Sequence, residues 1–443
     1  MTRLRIATGE TFASLHVRNF RLFFAGQAVS QIGTWLCMVA QTLLILDLTG
    51  SGVALGLLAA AQFGPVLLLG AWAGVVADRS DKRRLLIIVQ SLSMLQSFVL
   101  AALVFSGSPP IGAVYAVALA GGVLTAFDNP TRRSFVAEMV PRDRINNAVS
   151  LNSALMTGSR VIGPALAGVL VSTVGFGWTF LIDGLSYIAV LVGLLMMRPG
   201  ELHSAPLVAR AKGQVRAGLR YAAGVPQLLV PLVMMAVIGT FAFNFQVVFP
   251  VFVIDDLGGS QSTFTLLFSV LSLGSLVGAL AVARRQSSSV GRVGGTALAF
   301  GIGMAAIALA PNQAVAFIIG PLIGAASIAF MTASTSIVQT EAAPEMRGRV
   351  LALQAMVFLG STPIGGPVLG WVAEHFGARY AVGLGAVACF AAGTWGLWMV
   401  RRRDLDAPRL APGELLEPRG SLEPVGSLEP VVPAGVGVGT GAA

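Results

Sequence analysis

Among the charged residues inside or at the edge of long apolar runs, three, Arg160, Asp183 and Asp128, are where chemistry has to be sought first. Arg160 sits about eleven residues into the run 148–173, or roughly 16 Å at about 1.5 Å per helical residue. Asp183 lies a few residues into the run 178–197, in Phe180-Leu181-Ile182-Asp183-Gly184, and Asp128 ends the run 111–129. An ionised side chain in hydrocarbon is costly, so it faces a polar space or pairs with another charge. A carboxylate in such a place can also take up and release a proton, and Asp183 is the best placed to do so unless it stands at an interface. Arg160 has two natural partners, Asp128 and Asp183, between which spacing does not choose; a plain interhelical hydrogen bond is its other reading. These three are the proton-coupling candidates. Neutral amides recur in the same runs at Gln27, Gln31, Gln62, Asn152, Asn244 and Gln246. They are candidates for the lining of a substrate cavity, each equally able to bridge two helices.

No other constellation competes with these. His16, His203 and His375 lie far apart and lack metal-ligand spacing, and Cys37 and Cys389 both fall in apolar runs as small core residues. There is no Gly-Lys-Ser/Thr phosphate loop, and the two lysines, Lys82 and Lys212, stand in polar segments. A catalytic assignment therefore finds no residues to carry it; neither cofactor nor metal is expected.

The elements that position these groups are membrane helices. Of 443 residues 55% are hydrophobic and 11% charged, against roughly 25% charged in soluble domains. Mean hydropathy is +0.80. About 20 apolar residues cross a bilayer. Twelve such runs are expected near 22–47, 53–77, 85–105, 111–129, 148–173, 178–197, 228–254, 263–283, 293–310, 314–334, 349–373 and 379–400. The fold class is thus all-α and integral to the membrane. Fifty-three glycines suit it, because small residues let helices approach closely.

Charge orients the chain. Of 29 lysines and arginines, 27 fall in the N-terminus, the C-terminal tail and the turns after even-numbered spans. The exceptions are Arg160 and Arg379. By the positive-inside rule both termini face the cytoplasm, and the net charge of +9 reflects the membrane rather than nucleic acid. The expected organisation is a cytoplasmic N-terminus (1–21), a six-helix bundle (22–197), a cytoplasmic linker (198–227), a second bundle (228–400) and a tail (401–443). The linker carries Arg210, Lys212, Arg216 and Arg220 among apolar residues, the pattern of an amphipathic helix. The tail repeats Leu-Glu-Pro every six residues, which suits disorder. A shift of 203 residues brings Pro141, Arg144, Gly163 and Pro164 onto Pro344, Arg347, Gly366 and Pro367, so span 5 matches span 11 in the same orientation. Such a repeat relates two halves by an axis along the membrane normal.

Between spans 2 and 3 stands Gly74-Val75-Val76-Ala77-Asp78-Arg79-Ser80-Asp81-Lys82-Arg83-Arg84, and in span 5 stand Gly158, Gly163-Pro164 and Ala167-Gly168. The first resembles the loop between helices 2 and 3 of major facilitator superfamily (MFS) transporters, with Asp81 and Lys82 departing from its usual glycine and arginine. The second resembles the Gly-Pro motif of MFS antiporters. With Asp128-Asn129-Pro130-Thr131-Arg132-Arg133 and Leu48-Thr49-Gly50-Ser51, the chain resembles the MFS branch of the enterobactin exporter and macrolide-efflux-type proteins.

The resemblance implies two pseudo-symmetric six-helix bundles and efflux of a small amphipathic molecule, such as a siderophore or antibiotic, by proton antiport with alternating access. It also implies that Gly74, Asp78, Arg79, Lys82 and Arg83 form a gating motif, Asp78 bridging to the start of span 11 near Arg347-Gly348-Arg349. The partners expected are substrate, protons and lipid, with the chain monomeric in the cytoplasmic membrane. A non-transporting sensor and a lysophospholipid-type transporter are the alternatives. Span 1 lacks a central carboxylate and span 4 a membrane arginine, which departs from many proton-driven drug antiporters.

Overall fold

A computed structural model describes residues 12–203, 214–283 and 289–406. The first bundle contains α1 (Arg18–Thr49), α2 (Gly52–Arg79), α3 (Lys82–Phe105) and α4 (Ile111–Glu138). The following stretch Ile145–Leu195 is two helices, α5 and α6, meeting at Gly175, whose φ of 84° and ψ of 173° no helix allows. Glycine reaches that conformation without a Cβ clash, so one residue serves as the whole turn. A short helix α7 (Gln214–Gly224) lies in the linker. The second bundle holds α8 (Pro226–Phe241), α9 (Phe245–Val251), α10 (Gln261–Ala283), α11 (Val290–Ala308), α12 (Gln313–Glu341), α13 (Pro344–Phe376) and α14 (Ala378–Arg403). α8 and α9 with the π turn after them, Phe252–Asp256, make one crossing. Among the described residues this gives the twelve expected crossings and no strand.

Local chemistry sets several helix starts. Ser51 and Asp81 accept from Ala54 N (3.2 Å) and Arg84 N (3.0 Å), and Asn312 caps α12 through Val315 N (3.1 Å). Each satisfies an amide that the helix itself leaves free. Pro226 and Pro344 open α8 and α13, where the missing N–H costs nothing. One expectation is corrected. Span 4 does not stop before Pro130: α4 continues to Glu138, so Arg132, counted above as a turn residue, is helical and buried. The linker does form a helix at its C-terminal end, but residues 204–213 lie outside the described residues, as do 1–11 and most of the tail, 407–443.

Within the first bundle α1 packs on α6, α3 on α6 and α4, and α2 on α4. Within the second, α11 packs on α14 and α12, α10 on α12, and α13 on α8. The bundles meet through two pairs, α2 with α13 and α5 with α10. Spans 2 and 5 correspond to spans 8 and 11 under the repeat, so the two pairs are equivalent. Large apolar side chains such as Leu68, Val277, Ile318 and Val387 stand exposed around the periphery, as lipid-facing residues do.

The contacts between bundles are one-sided. A Cβ built on Gly52 or Gly56 of α2 would lie 2.7 Å or 2.5 Å from the carbonyl oxygens of Gly370 or Gly366 of α13. Gly70 and Gly348 lie further along the same two helix faces, and a Cβ there would meet nothing within 4 Å. Gly168 of α5 likewise abuts Thr265 of α10. The bundles are therefore sealed at the end carrying the odd-numbered turns, here the far end. At mid-height Leu67 of α2 still meets Gly360 of α13, and beyond it the bundles part toward the end where α1 begins and α14 stops, the terminal end.

At the far end Glu374 of α13 reaches across to the first turn of α2. It accepts from Val53 N (3.0 Å) and from the Ser51 hydroxyl. Arg379 holds Asp256 nearby, within the second bundle (3.5 Å).

Candidate functional site

A buried polar cluster occupies the first bundle about 12 Å from the terminal end, at about 1.5 Å per residue. Asp128 and Arg132, four residues apart on α4, form an ion pair on one helix face. Gln90 of α3 donates to Asp128 Oδ1 (2.7 Å), and Arg132 donates to Gln31 Oε1 of α1. With its amide oxygen turned toward the guanidinium, Gln27 accepts from Arg132 Nε (3.1 Å) and Nη1 (2.8 Å). Met156 Sδ of α5 completes the shell at 3.6 Å. Gln27, Gln31, Gln90, Asp128 and Arg132 are each at most 8% exposed. Two charges removed from water are tolerable only when paired and hydrogen-bonded, and these are.

The cluster corrects three expectations. Arg160 pairs with neither carboxylate, because Asp128 is held by Arg132. Gln27 and Gln31 do not line a cavity; they are buried against a guanidinium. And span 4 does carry an arginine within its helix. The signal that could have found it, a carboxylate and an arginine at i,i+4, is present in the sequence but masked by Pro130, which stays inside the helix.

Asp183 stands apart. It is fully buried between α1, α3 and α6, and Ser97 of α3 donates to its Oδ2 at 2.5 Å. Its Oδ1 has no hydrogen-bond partner among the described residues, and no described basic side chain pairs with it. Gly33 makes the space: a Cβ there would lie 2.5 Å from that oxygen.

Arg160 is exposed, with its guanidinium 4.9 Å from the centroid of the Trp35 ring. At 100° per residue its face of α5 is shared by Gly163, Pro164, Ala167 and Gly168, all buried. Ile162, Leu166 and Val169, exposed, lie on the opposite face toward lipid. Arg160 therefore opens onto the space between the bundles, just below the point where α5 is sealed. Toward the terminal end that face continues with exposed Val149 and Ser153 and half-buried Thr157.

In the sequence motifs, Gly163 packs on Trp35 and Ile32 of α1, Pro164 is buried within α5, Gly168 meets α10, and a Cβ at Gly158 would meet nothing. Gly74 is buried, Asp78 half-buried and Arg79 exposed. Lys82 pairs with Glu138 of α4 (2.6 Å), and Arg83 donates to Leu194 O (2.7 Å) and Leu195 O (3.2 Å). Both basic residues tie the loop to its own bundle. Arg349, in the first turns of α13, lies against Gly218 of α7, and Tyr221 of α7 accepts from Ala343 N (3.0 Å).

Of the remaining amides, Gln62 donates to Gln41 of α1 (2.8 Å), and Gln246 of α9 reaches Met38 Sδ of α1 across the bundles (3.1 Å). Asn152 is half-buried on α5. Asn244 is buried at the break between α8 and α9, where it donates to Thr240 O (2.7 Å), and it also borders a small cavity with Phe241, Phe245 and Met304, its Oδ1 without a partner among the described residues.

Against known families, residues 9–420 match the model described as "Transmembrane secretion effector". The chain belongs to this family. Among its relatives is the staphyloferrin A transporter of Staphylococcus aureus, 26% identical over 365 residues, covering 81% of this chain and 90% of that protein. Macrolide efflux protein A of Streptococcus pyogenes is 23% identical over 372 residues, covering 82% and 91%. The multidrug efflux pump Tap of Mycolicibacterium fortuitum is 24% identical over 388 residues, covering 84% and 94%. One of these is named for transport and two for efflux, and the chain is a multi-pass membrane protein of the major facilitator superfamily transporter type. In fold it is similar to a bacterial homologue of the human lysosomal transporter Spinster in an inward-facing, occupied conformation. That match has a TM-score of 0.69 at 15% identity and covers 90% and 99% of the two chains. It is also similar to a POT family transporter (TM-score 0.71, 11% identity, 87% and 96% covered).

Proposed function

We propose that this protein exports a small amphipathic molecule across the cytoplasmic membrane by alternating access coupled to proton antiport. The observation that carries the reading is the one-sided seal. The same faces of α2 and α13 touch through backbone at one end and part at the other, leaving a cleft with polar residues near its closed end. Two packed halves around a mid-membrane site are what a rocking transporter requires. With Arg132 inside α4, 26 of the 29 basic residues fall in sequence in the termini and the segments after even-numbered spans, so by the positive-inside rule that end faces the cytoplasm and the cleft is open inward. Efflux relatives and the Gly163-Pro164 pair in α5 support export. No ATP-binding or catalytic constellation competes, and a single chain supplies both bundles.

Two residues take roles in this cycle. Asp183, buried with one oxygen unpartnered, binds and releases the coupling proton. Asp78 closes the inner side by meeting the first turn of α13, where the helix N-terminus and Arg347 favour a carboxylate; in the inward-open state that turn carries α7. The test is flux in everted vesicles with and without a proton uncoupler, screening metabolites and drugs. Uphill accumulation that collapses with the uncoupler is expected. Asp183→Asn should abolish uphill accumulation and spare downhill exchange; accumulation retained in the variant removes Asp183 from coupling.

A further inference from the structure

We propose that Arg160 and Trp35 form an anion-accepting subsite at the closed end of the cleft, and that the cargo carries an acidic group beside an apolar or aromatic body. This rests on the reading of the cleft as the cargo path and names the class of molecule it takes.

The inference starts from a charge left without a counter-charge. Arg160 forms no ion pair among the described residues, and neither carboxylate of the first bundle that lies at membrane depth pairs with it. Asp128 is held by Arg132 and Gln90, and Asp183 is walled between α1, α3 and α6. The second bundle offers none: between residues 226 and 403 its acidic residues are Asp255, Asp256, Glu341, Glu345 and Glu374, all at helix ends. A cation exposed to a cleft that contains no acid at its level makes that level favourable for an anion and unfavourable for a second cation.

The geometry also suits a ligand. The guanidinium lies over the Trp35 ring, an attraction that fixes its plane and leaves the N–H fork free for a carboxylate or sulfonate. Gly163 is what allows the ring so close, since a Cβ there would collide with Trp35 Cβ. The indole and the neighbouring Met38 give an apolar floor for the rest of the cargo. A buried structural arginine looks different in this same protein: Arg132 is enclosed and satisfied, whereas Arg160 is exposed and sits where the cleft ends.

The first experiment needs no knowledge of the cargo. In the full chain in lipid nanodiscs, Thr157→Cys places a thiol one turn from Arg160 on the cleft side, and the two natural cysteines, both buried, set the background. An anionic (sulfonatoethyl) and a cationic (trimethylammonioethyl) methanethiosulfonate are compared. Arg160→Gln should lower the anion-to-cation rate ratio at least five-fold, and Arg160→Lys should restore it. An unchanged ratio, or no reaction at position 157 with either reagent, overturns the subsite.

The second experiment uses two xanthene dyes of opposite charge, fluorescein and rhodamine 6G, with binding read by anisotropy. Fluorescein should bind more tightly, Arg160→Gln should weaken it at least ten-fold without weakening rhodamine 6G, and Trp35→Ala should weaken both. Absence of fluorescein binding, or binding indifferent to Arg160→Gln, overturns the assignment of an acidic cargo. If labelling and dye binding behave as expected but no vesicle assay detects uphill export, the transport cycle fails and the subsite stands.

Discussion

The buried pair Asp128–Arg132 makes the sharpest quantitative prediction. Replacing Arg132 by glutamine leaves Asp128, 5% exposed, with the single donor Gln90 and no ion-pair partner among the described residues. Stranding a buried charge in this way costs about 3–5 kcal/mol. Asp128→Asn strands the guanidinium instead, but Gln27 and Gln31 still accept from it, so its cost should fall at the lower edge, about 3 kcal/mol. The double variant Asp128→Asn/Arg132→Gln leaves only neutral amides that can bond to one another and to Gln90. It should therefore cost about 2 kcal/mol less than the two singles added together, within the range known for contacting residues. The assay is a double-mutant cycle on the full chain in mixed micelles, unfolded by dodecyl sulfate and followed by tryptophan fluorescence. Singles that are additive, or each within about 0.5 kcal/mol of the parent, would refute the argument that this pair is desolvated and coupled. Export by the double variant then separates the roles: near-normal flux makes the pair structural, and lost flux in a stable protein makes it part of the cycle.

Other perturbations address the two ends of the cleft. Glu374→Gln removes the charge from the hydrogen bonds to Ser51 and Val53, worth about 1 kcal/mol at an exposed site. The far end should then open about five-fold more often, read as faster maleimide labelling of Ala373→Cys; equal labelling rates would show that the carboxylate does not hold the seal. Gly56→Leu drives a side chain into the Gly366 carbonyl, so position 373 should label constitutively and export should drop at least ten-fold; normal export would contradict a seal made at that contact. Asp78→Asn should cut export while leaving expression and membrane insertion unchanged, and undiminished flux would remove Asp78 from the inner gate.

Much of the fold was legible in the sequence because membrane helices must satisfy their backbone internally, so length and apolarity nearly suffice to find them. The twelve runs, the charge asymmetry and the 203-residue repeat all came from this constraint. The site was less legible, for physical reasons that particular residues illustrate. Pro130 reads as a helix stop, yet α4 runs through it, with the Thr131 hydroxyl donating to Phe127 O (2.6 Å) in the turn that the ring disturbs, and so spacing alone misplaces Arg132. Arg160 and Asp183 look like natural partners by type and depth, but their helices turn them to different surroundings. Asn244 reads as a cavity amide and borders a cavity, but its amide also donates back to Thr240 O at the break between α8 and α9, which spacing does not show. Spacing shows which face of a helix a residue takes; which neighbour that face meets is a property of the assembled bundle.

The seam between α2 and α13 is built around glycine main chain on both sides, at Gly52, Gly56, Gly366 and Gly370, with Glu374 bracing its outer edge. A closure built from carbonyl and α-carbon contacts asks nothing of the side chains elsewhere in the cleft. Substitutions at the floor, around Trp35 and Arg160, can therefore accumulate and redirect the protein toward a different molecule while the barrier against leakage stays as tight as before. On this view selectivity and tightness are inherited separately, and a family sharing one scaffold can serve chemically unlike cargoes.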